Sequence, residues 1–543
     1  MKKETWKVAV DGRGKSCNEI YSEILRTRGI DPKNASDFLE PSTYYLHPPS
    51  CFRNIVSAGN IFIDGIKNNK RFFIFADVDV DGCSSAAIIY HYLKAFDIDV
   101  VTYINKGKSH GIQEDFDFST LSNIDIMIVV DSLNQNTEVY TKVLSMGVKL
   151  IVLDHHIPEQ QVLNIEKEIN LVSSALDDYP NHELTGSGVC WKFVSYIDSQ
   201  CGLSIADTLV DLAAAGIIAD CGDVSVNSME NRAICHLGFN SVQNVAMLEM
   251  LGKDTITSSD IGYGIAPLVN AANRQECNDL ALKLFLSEKP SEIRIIIDEL
   301  KKCREEQRVI VKELVKLAEP MYENQKEYNA LVFFLPDCEN LSGLVATQLV
   351  DKYGKPCIVL KGETDTEMSG SMRAVGLDDF RNIINESGYA IASGHPNSAG
   401  IVIKKDKLID FLNYLERKLY GMTFEPRVDI DVVVEKAQLT PFLLEKLAKI
   451  SRISGNGFGS AQVLIKDLEN YAVKQMSGGK HLCVTHKDMK FLHWNFSKWE
   501  DVIEDGIFSA VGTVEESTFM GRKTLQMVVN DYLFENGQKV RLW

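Results

Sequence analysis

The chain is 543 residues long, 45% hydrophobic and 24% charged, with a formal net charge of −18. That length exceeds one hydrophobic core and the composition is that of an ordinary globular protein, so roughly three or four domains are expected and a fibrous or disordered chain is excluded. The acidic balance weighs against a surface that binds nucleic acid everywhere, although a channel with a local basic lining stays open.

MKKETWKVAVDGRG lacks the apolar core of a signal peptide, and no apolar run reaches membrane-spanning length; LVDLAAAGIIADCG is interrupted by Asp220. The twelve cysteines are scattered without a C-x-x-C pair, against zinc ribbons and disulfide frameworks. A reducing, cytoplasmic setting is expected, with no membrane partner.

Residues 1–70 read as a helical lead-in, with Ser36 placed to cap a short helix and an amphipathic stretch from Phe52 to Lys67. From Arg71 the pattern alternates: RFFIF, a helix from Ser84 to Ala95, DVVTYI, IMIVV, a helix from Thr137 to Ser145, then LIVL. Short apolar runs separated by helix-length stretches predict a doubly wound parallel sheet. A helical region follows from about Asn231 to Asn324, and its charged last part predicts a long connector. A second, smaller α/β pattern runs from Ala330 to about Leu415 through ALVFFLP, a helix over Val345–Lys352, PCIVLK, SGSMRAV and AIASGHPNSAGIVI. HLCVTH, FLHWNF, IFSAVGTV and TLQMVVNDYLF then predict antiparallel strands closing a small β-barrel. Gly455, Gly457 and Gly459 mark a loop, since no strand-turn-helix context makes them a phosphate cradle.

Acidic residues sit at the ends of three of these apolar runs. RFFIFAD leads into Asp77, Asp79, Asp81 and Gly82; IMIVV leads into Asp131; LIVL leads into Asp154, His155 and His156. Ligands in such sheets gather at the carboxyl ends of the strands, and carboxylates so close repel unless cations bridge them. An EF-hand shares the opening Asp-x-Asp-x-Asp-Gly, but it needs a Glu where Ile88 stands and a helix in front. Alternate carboxylates on one edge suit hard divalent ions, and two imidazoles among them favour Mn²⁺ over Ca²⁺. Asp131 could instead cap a helix, with Ser132 and Thr137 as neighbours. Asp220 ends a small-residue stretch that must be buried, where a carboxylate needs a cation; Asp223 is the surface alternative.

DVDVDG, the Asp131 strand end, DHH and IIAD resemble the four motifs of the DHH phosphoesterase superfamily. RGIDPKNASDFLEP, LTGSGVCWKF, the ENR at Glu230–Arg232, IAPLVNAANR, SGSMR, SGHPNSAG, ISGNGFGSAQ and TFMGRKTLQMVVNDY narrow the resemblance to RecJ-type single-strand-specific exonucleases. It covers nearly the whole chain. The fold it implies is a doubly wound parallel-sheet DHH domain, joined by a long helix to a smaller α/β DHHA1 domain and followed by an OB-fold-like β-barrel. The implied boundaries are 1–70 for the lead-in, 71–245 for DHH, 246–325 for the helical connector, 326–425 for DHHA1 and 426–543 for the OB-like part.

The resemblance further implies a phosphodiesterase with two Mn²⁺ or Mg²⁺ ions, held by Asp77, Asp79, Asp81, Asp131, His155 and Asp220, with His156 and Asp77 catalytic. Lys106, Asn270, Arg274, Ser371, Arg373 and His395 would bind substrate. The implied activity is 5′-to-3′ digestion of single-stranded DNA to nucleoside 5′-monophosphates in DNA repair or recombination. A monomer is expected, with a single-strand-binding protein or a helicase as candidate partners. Phe491, Trp494 and Phe496 could stack on bases or fill the barrel core. Short RNA oligomers or cyclic dinucleotides are the alternative substrates, and an inactive single-strand-binding scaffold is a second alternative. Departures fall at Lys106 in place of an arginine, Asn273 and Ser393 in place of glycines, Gln348 in place of an arginine, Cys221–Asp223 and Ser173–Ser174. They alter the substrate-holding positions and leave the ligand set intact, as a divergent bacterial or phage copy would.

Overall fold

The computed structural model describes residues 6–107, 109–176, 178–338, 340–362, 364, 366–424, 428–496, 498–519, 522–536 and 538–539. The two lysines at the start of the chain, the expected boundary at 425/426, and Met520 and Gly521 lie outside them. Two compact units emerge. One contains Val8–Asn273, Asn278–Leu300 and Asp429–Trp543; the other contains Met1–Lys7, Arg274–Cys277 and Lys301–Val428.

The chain opens with a strand, β1 (Trp6–Asp11), where the sequence pointed to helix. WKVAVD alternates buried and exposed positions, and a single short alternation beside a helix signature is easily overlooked. The short helix Ala35–Leu39 follows Asn34, and Ser36 lies inside it rather than capping it; Asp31 caps the turn just before. A longer helix spans Ile55–Lys67, as the amphipathic pattern predicts.

The first unit holds a parallel sheet of β2 (Phe72–Ala76), β3 (Val100–Ile104), β4 (Ile126–Val130), β5 (Lys149–Asp154) and β6 (Leu171–Ser173), in the order β3-β2-β4-β5-β6. β2 and β4 are buried at every position, which is why their sequences are unbroken apolar runs. The strand order reverses around β2, and β2, β4 and β5 end side by side, so their trailing residues share one rim. The helix after β2 spans Val80–Lys94 rather than starting at Ser84. Asp79 caps it, its carboxylate accepting a hydrogen bond from the Gly82 N–H at 3.0 Å. The aspartates therefore straddle a strand end and a helix start, and do not continue a strand edge. Helices Gly186–Cys201, Val210–Ala219 and Met229–Asn240 complete this α/β layer.

The helical region is present as Ala266–Arg274, Asn278–Leu286 and the 34-residue helix Pro290–Glu323, which carries the chain from the first unit into the second. The second unit is built on β7 (Leu331–Phe334), β8 (Cys357–Gly362), β9 (Glu367–Arg373), β10 (Ala390–His395) and β11 (Ser398–Lys404). Their order is β10-β11-β9-β8-β7; only β7 and β8 are parallel. Separate apolar clusters, one around Phe380 and Phe411 and one around Phe333 and Leu349, cover it.

The C-terminal strands are β12 (Val428–Glu435), β13 (Val463–Leu468), β14 (Ala472–Met476), β15 (His481–His486), β16 (Met489–His493), β17 (Ile507–Phe519) and β18 (Arg522–Glu535). With β1 they make one eight-stranded mixed sheet, β1-β12-β13-β17-β18-β16-β15-β14. Among the described residues no pairing joins β1 to β14, so the expected OB-type strands are present without a closed barrel. Bulges at Ile465/Leu468 and Val511/Gly512 bend the sheet instead. Phe491 and Phe496 are core residues, which leaves Trp494, 44% exposed, as the only one of the three aromatics open to a base.

Candidate metal centre

Seven side chains converge beyond the ends of β2, β4 and β5. Three sets of donor atoms lie within 4.8 Å of one another: Asp77, Asp79 and Asp131; Asp81, His155 and Asp220; and Asp131, His155 and His156. Local structure delivers each of them. Asp131 leaves β4 with φ of 53°, a left-handed turn that Asp tolerates, while its N–H still bonds Leu153 O at 2.9 Å. This residue heads no helix; Thr137 does. Asp81 lies in the first turn of the Val80 helix, and its Oδ1 accepts from Thr185 Oγ1 at 2.9 Å and from the Ser187 N–H at 3.0 Å. Asp220 ends the buried Val210–Ala219 helix, yet its own side chain is 35% exposed, so the burial inferred for the stretch stops short of the carboxylate.

Close approach fixes the glycines. A methyl group at Gly82 would meet Asp77 O at 2.4 Å, and one at Gly186 would meet Asp131 Oδ1 at 2.6 Å. Each clash would displace a carboxylate from the rim.

The electrostatics are those of a site built for cations. Asp77 Oδ1, Asp81 Oδ2 and Asp131 Oδ1 are buried and accept no hydrogen bond. Burial, joined by repulsion from Asp77 and Asp81, pushes Asp79 up to about 7. Burial and repulsion from Asp81 push Asp220 up to about 7 as well. Asp131 is driven well above the usual carboxylate range by burial and by Asp81, Asp79 and Asp154. A buried acid that must otherwise take up a proton is a good ligand for a dication. The donor set, oxygens with one or two imidazoles, fits Mn²⁺ or Mg²⁺.

Asp154 behaves differently. Its Oδ1 accepts from the N–H groups of His155 and His156, both at 2.7 Å, and contacts His156 Nδ1 at 2.8 Å; its Oδ2 accepts from the Leu133 N–H at 2.8 Å. Burial alone would raise its pKa, but these bonds and the neighbouring imidazoles hold it at about 2. Burial disfavours the His156 cation, and the bond to Asp154 outweighs it, pushing that imidazole up to about 9. His155 points its Nε2 the other way, 3.2 Å from Asp131 Oδ1 and 3.5 Å from Asp220 Oδ2. The adjacent histidines thus serve opposite sides.

Three contributors escaped the sequence reading. Thr185 and Ser187 anchor Asp81, and they sit in the TGSG segment as small polar residues with no signature of their own. His110, in the loop after β3, lies 3.3 Å from Asp77 Oδ1. Its sole sequence cue is its place in a loop beyond a strand end.

The substrate-binding candidates fall in both units. In the first, Lys106 is exposed in the loop after β3 and Asn270 is half-buried in the Ala266 helix. In the second, the sheet register aligns His395 with Ser398 and Ser398 with Arg373, one row across β10, β11 and β9. Ser371 shares a 2.9 Å hydroxyl contact with Ser342, and Arg373 lies over Gly343. Burial and the nearby Arg373 lower the pKa of Arg274. Two guanidiniums kept together at a half-buried place suit an anion. Asn273 lies inside the Ala266 helix with ordinary helical backbone, so no glycine is needed there. In the SGH segment it is Gly394, at φ of 130°, that requires glycine, and Ser393 does not.

Glu230 and Arg232 of ENR are buried and structural. Glu230 pairs with Lys192 at 2.9 Å and accepts from the Tyr179 hydroxyl at 2.8 Å, and Arg232 Nη1 bonds the carbonyls of Val224 at 2.9 Å and Ile453 at 3.1 Å.

Comparison with known proteins agrees with this architecture. Residues 71–217 match the DHH family, N-terminal domain, and residues 430–531 match the RecJ OB domain. A protein from Bacillus subtilis strain 168, described as an SPbeta prophage-derived single-strand DNA-specific exonuclease, is 25% identical over 93% of this chain and 94% of its own length. The single-stranded-DNA-specific exonuclease RecJ of the same strain is 24% identical over 94% of this chain and 67% of its own. The crystal structure of Thermus thermophilus RecJ with Mn²⁺ superposes with a TM-score of 0.72 at 20% identity, covering 98% of this chain and 80% of that one. Parallel sheet, aspartate-histidine rim and family match agree on a DHH-class α/β domain over residues 71–217. Within that class, the chain is similar to RecJ-type exonucleases, with a DHH domain at 71–217 and a RecJ OB domain at 430–531. No helix of the described residues is long and apolar enough to cross a membrane.

Proposed function

We propose that this protein is a metal-dependent exonuclease that hydrolyses single-stranded DNA from the 5′ end, releasing nucleoside 5′-monophosphates. The observation that carries the reading is the convergence of five aspartates and two histidines in which three buried carboxylate oxygens accept no hydrogen bond. Relatives named as single-stranded-DNA-specific exonucleases, and RecJ structures holding Mn²⁺ or Mg²⁺, support it.

Asp77, Asp79 and Asp131 would hold one ion, and Asp81, His155 and Asp220, with Asp131, the other. The bound pair would supply Lewis-acid charge and an activated water for attack on phosphorus. His156, oriented through Nδ1 by Asp154, presents Nε2 to the phosphoryl oxygens, where it stabilises developing charge or passes a proton. Arg274, Ser371 and Arg373 would bind the terminal 5′-phosphate, with Lys106, Asn270 and His395 as further substrate contacts, and from that follows the polarity. Trp494 offers one exposed stacking face to a base. The domain limits at 70, 245, 325 and 425 belong to the same proposal, as do a cytoplasmic repair or recombination role and a monomeric state. The RecJ OB match favours long single strands over dinucleotides, since it supplies a surface that a dinucleotide does not need.

The test is an end-labelled degradation assay comparing single-stranded DNA, duplex and RNA with Mn²⁺ or Mg²⁺. A 5′-labelled single strand should lose its label first, and Asp131→Ala should lower the rate by about a thousandfold or more while single-strand binding persists. Degradation starting from the 3′ end, or near-full activity of the variant, would refute the proposal.

A further inference from the structure

His110 has no part in the reaction as proposed so far, yet the fold holds it firmly at the same rim. Among its described residues the loop is tied at several points. Asn105 Nδ2 donates to Ser109 O at 2.9 Å and Gly111 O at 2.7 Å, the Gly111 N–H donates to Ser132 Oγ at 3.0 Å, and the Ile112 N–H donates to Asn134 Oδ1 at 2.7 Å. Gln113 Nε2 closes back on His110 O at 2.7 Å, and Asn278 Nδ2 clamps Asn105 O and Gly107 O. A loop with so many directed bonds presents its side chain in one place.

That place is beside His156. The two rings lie 4.5 Å apart, and each turns Nδ1 toward an acid: His110 toward Asp77 Oδ1 at 3.3 Å, His156 toward Asp154 Oδ1 at 2.8 Å. Each Nε2 therefore lies on the far side of its ring. With Asp220, at 35%, the imidazoles are the open part of the site, 38% and 41% exposed, while the side chains of Asp77, Asp131 and Asp154 are 11% exposed or less. Both imidazoles are therefore within reach of a substrate arriving from solvent.

We propose that His110 is a further catalytic residue, paired with His156, whose Nε2–H binds a non-bridging oxygen of the scissile phosphodiester. This rests on the phosphodiesterase reading. Two donors on one phosphoryl group stabilise charge that develops in attack; His156 is oriented in advance by its bond to Asp154, and His110 by the hydrogen bonds of its loop. The acid beside His110 Nδ1 is a metal-ligand candidate, so the imidazole stands between substrate and ligand set.

The experiment uses the full chain with Mn²⁺ and two probes: bis(4-nitrophenyl) phosphate, which reports phosphodiester cleavage whatever the natural substrate, and a single strand with Rp or Sp phosphorothioate at its first linkage. His110→Ala should lower kcat about 10²- to 10³-fold on both, with Mn²⁺ affinity by isothermal titration unchanged. It should also shrink the sulfur effect of one diastereomer, and His110→Gln should recover part of the loss. Full kcat in His110→Ala overturns the inference. A large drop in Mn²⁺ affinity with the sulfur effect intact overturns it too, because the imidazole would then act only on Asp77. A wild-type protein that cleaves neither probe sinks the phosphodiesterase reading, and the role of His110 with it.

Discussion

At the scale of single residues, the centre depends on groups outside the candidate ligand set. Asp81 has one oxygen satisfied by Thr185 and Ser187 and the other left without a hydrogen bond. The satisfied oxygen fixes the direction of the open one, as supporting partners of metal ligands commonly do. Thr185→Val keeps the shape and removes the donor. Its Mn²⁺ affinity should fall by about 10- to 100-fold in isothermal titration, with the fold intact by circular dichroism. Unchanged affinity would mean that the Ser187 N–H suffices. No sequence pattern distinguishes Thr185 from any other threonine before a helix. Aspartates at strand ends, by contrast, were legible, because unbroken apolar runs announce buried parallel strands and their ends announce a rim.

At the scale of elements, β2, β4, β5 and the long Pro290 helix were legible from periodicity, while β1, β6 and the early start of the Val80 helix were not. The reasons are physical. β6 is three residues long, too short for a period to register, and the Val80 helix begins with valine, aspartate and glycine, poor helix formers rescued by the Asp79 cap. A second cross-element clip is just as invisible in sequence. Lys192 on the Gly186 helix and Glu230 on the Met229 helix pair in the interior, and Glu230 also accepts from the His47 N–H at 2.9 Å. Glu230→Gln strands the lysine charge, a loss of about 3–5 kcal/mol. Urea unfolding should show it as a lowered midpoint. Glu230→Met with Lys192→Met should recover much of the stability, and failure of that double variant would show that the hydrogen bonds to Glu230 matter more than the ion pair.

At the scale of the whole molecule, the crowded acids make stability depend on metal and pH. Asp79 and Asp220 move from 3.8 to about 7 in the metal-free protein. Each then binds its proton more tightly folded than unfolded, so this contribution to stability is full below about pH 4 and lost as pH rises towards 7. Asp154, lowered to about 2, works in the opposite sense and loses its contribution as pH falls from about 4 to 2. Chelated protein should therefore melt at progressively lower temperature between pH 5 and 7 (roughly the window between those two limits), and Mn²⁺ should remove that slope while releasing protons. A hundredfold excess over Kd would add about 2.7 kcal/mol. A melting temperature indifferent to both would show that the carboxylates are neutralised some other way. Finally, β1 lies at the edge of the sheet completed by the C-terminal strands, and Gln438 Nε2 donates to Gly12 O across 426 residues of chain. On the ribosome β1 must wait for its partner β12 to be made, roughly 20 to 80 seconds at ordinary elongation rates. Until then its backbone is an open invitation to other nascent chains, and synthesis halted before β12 would yield aggregates rather than a smaller working enzyme.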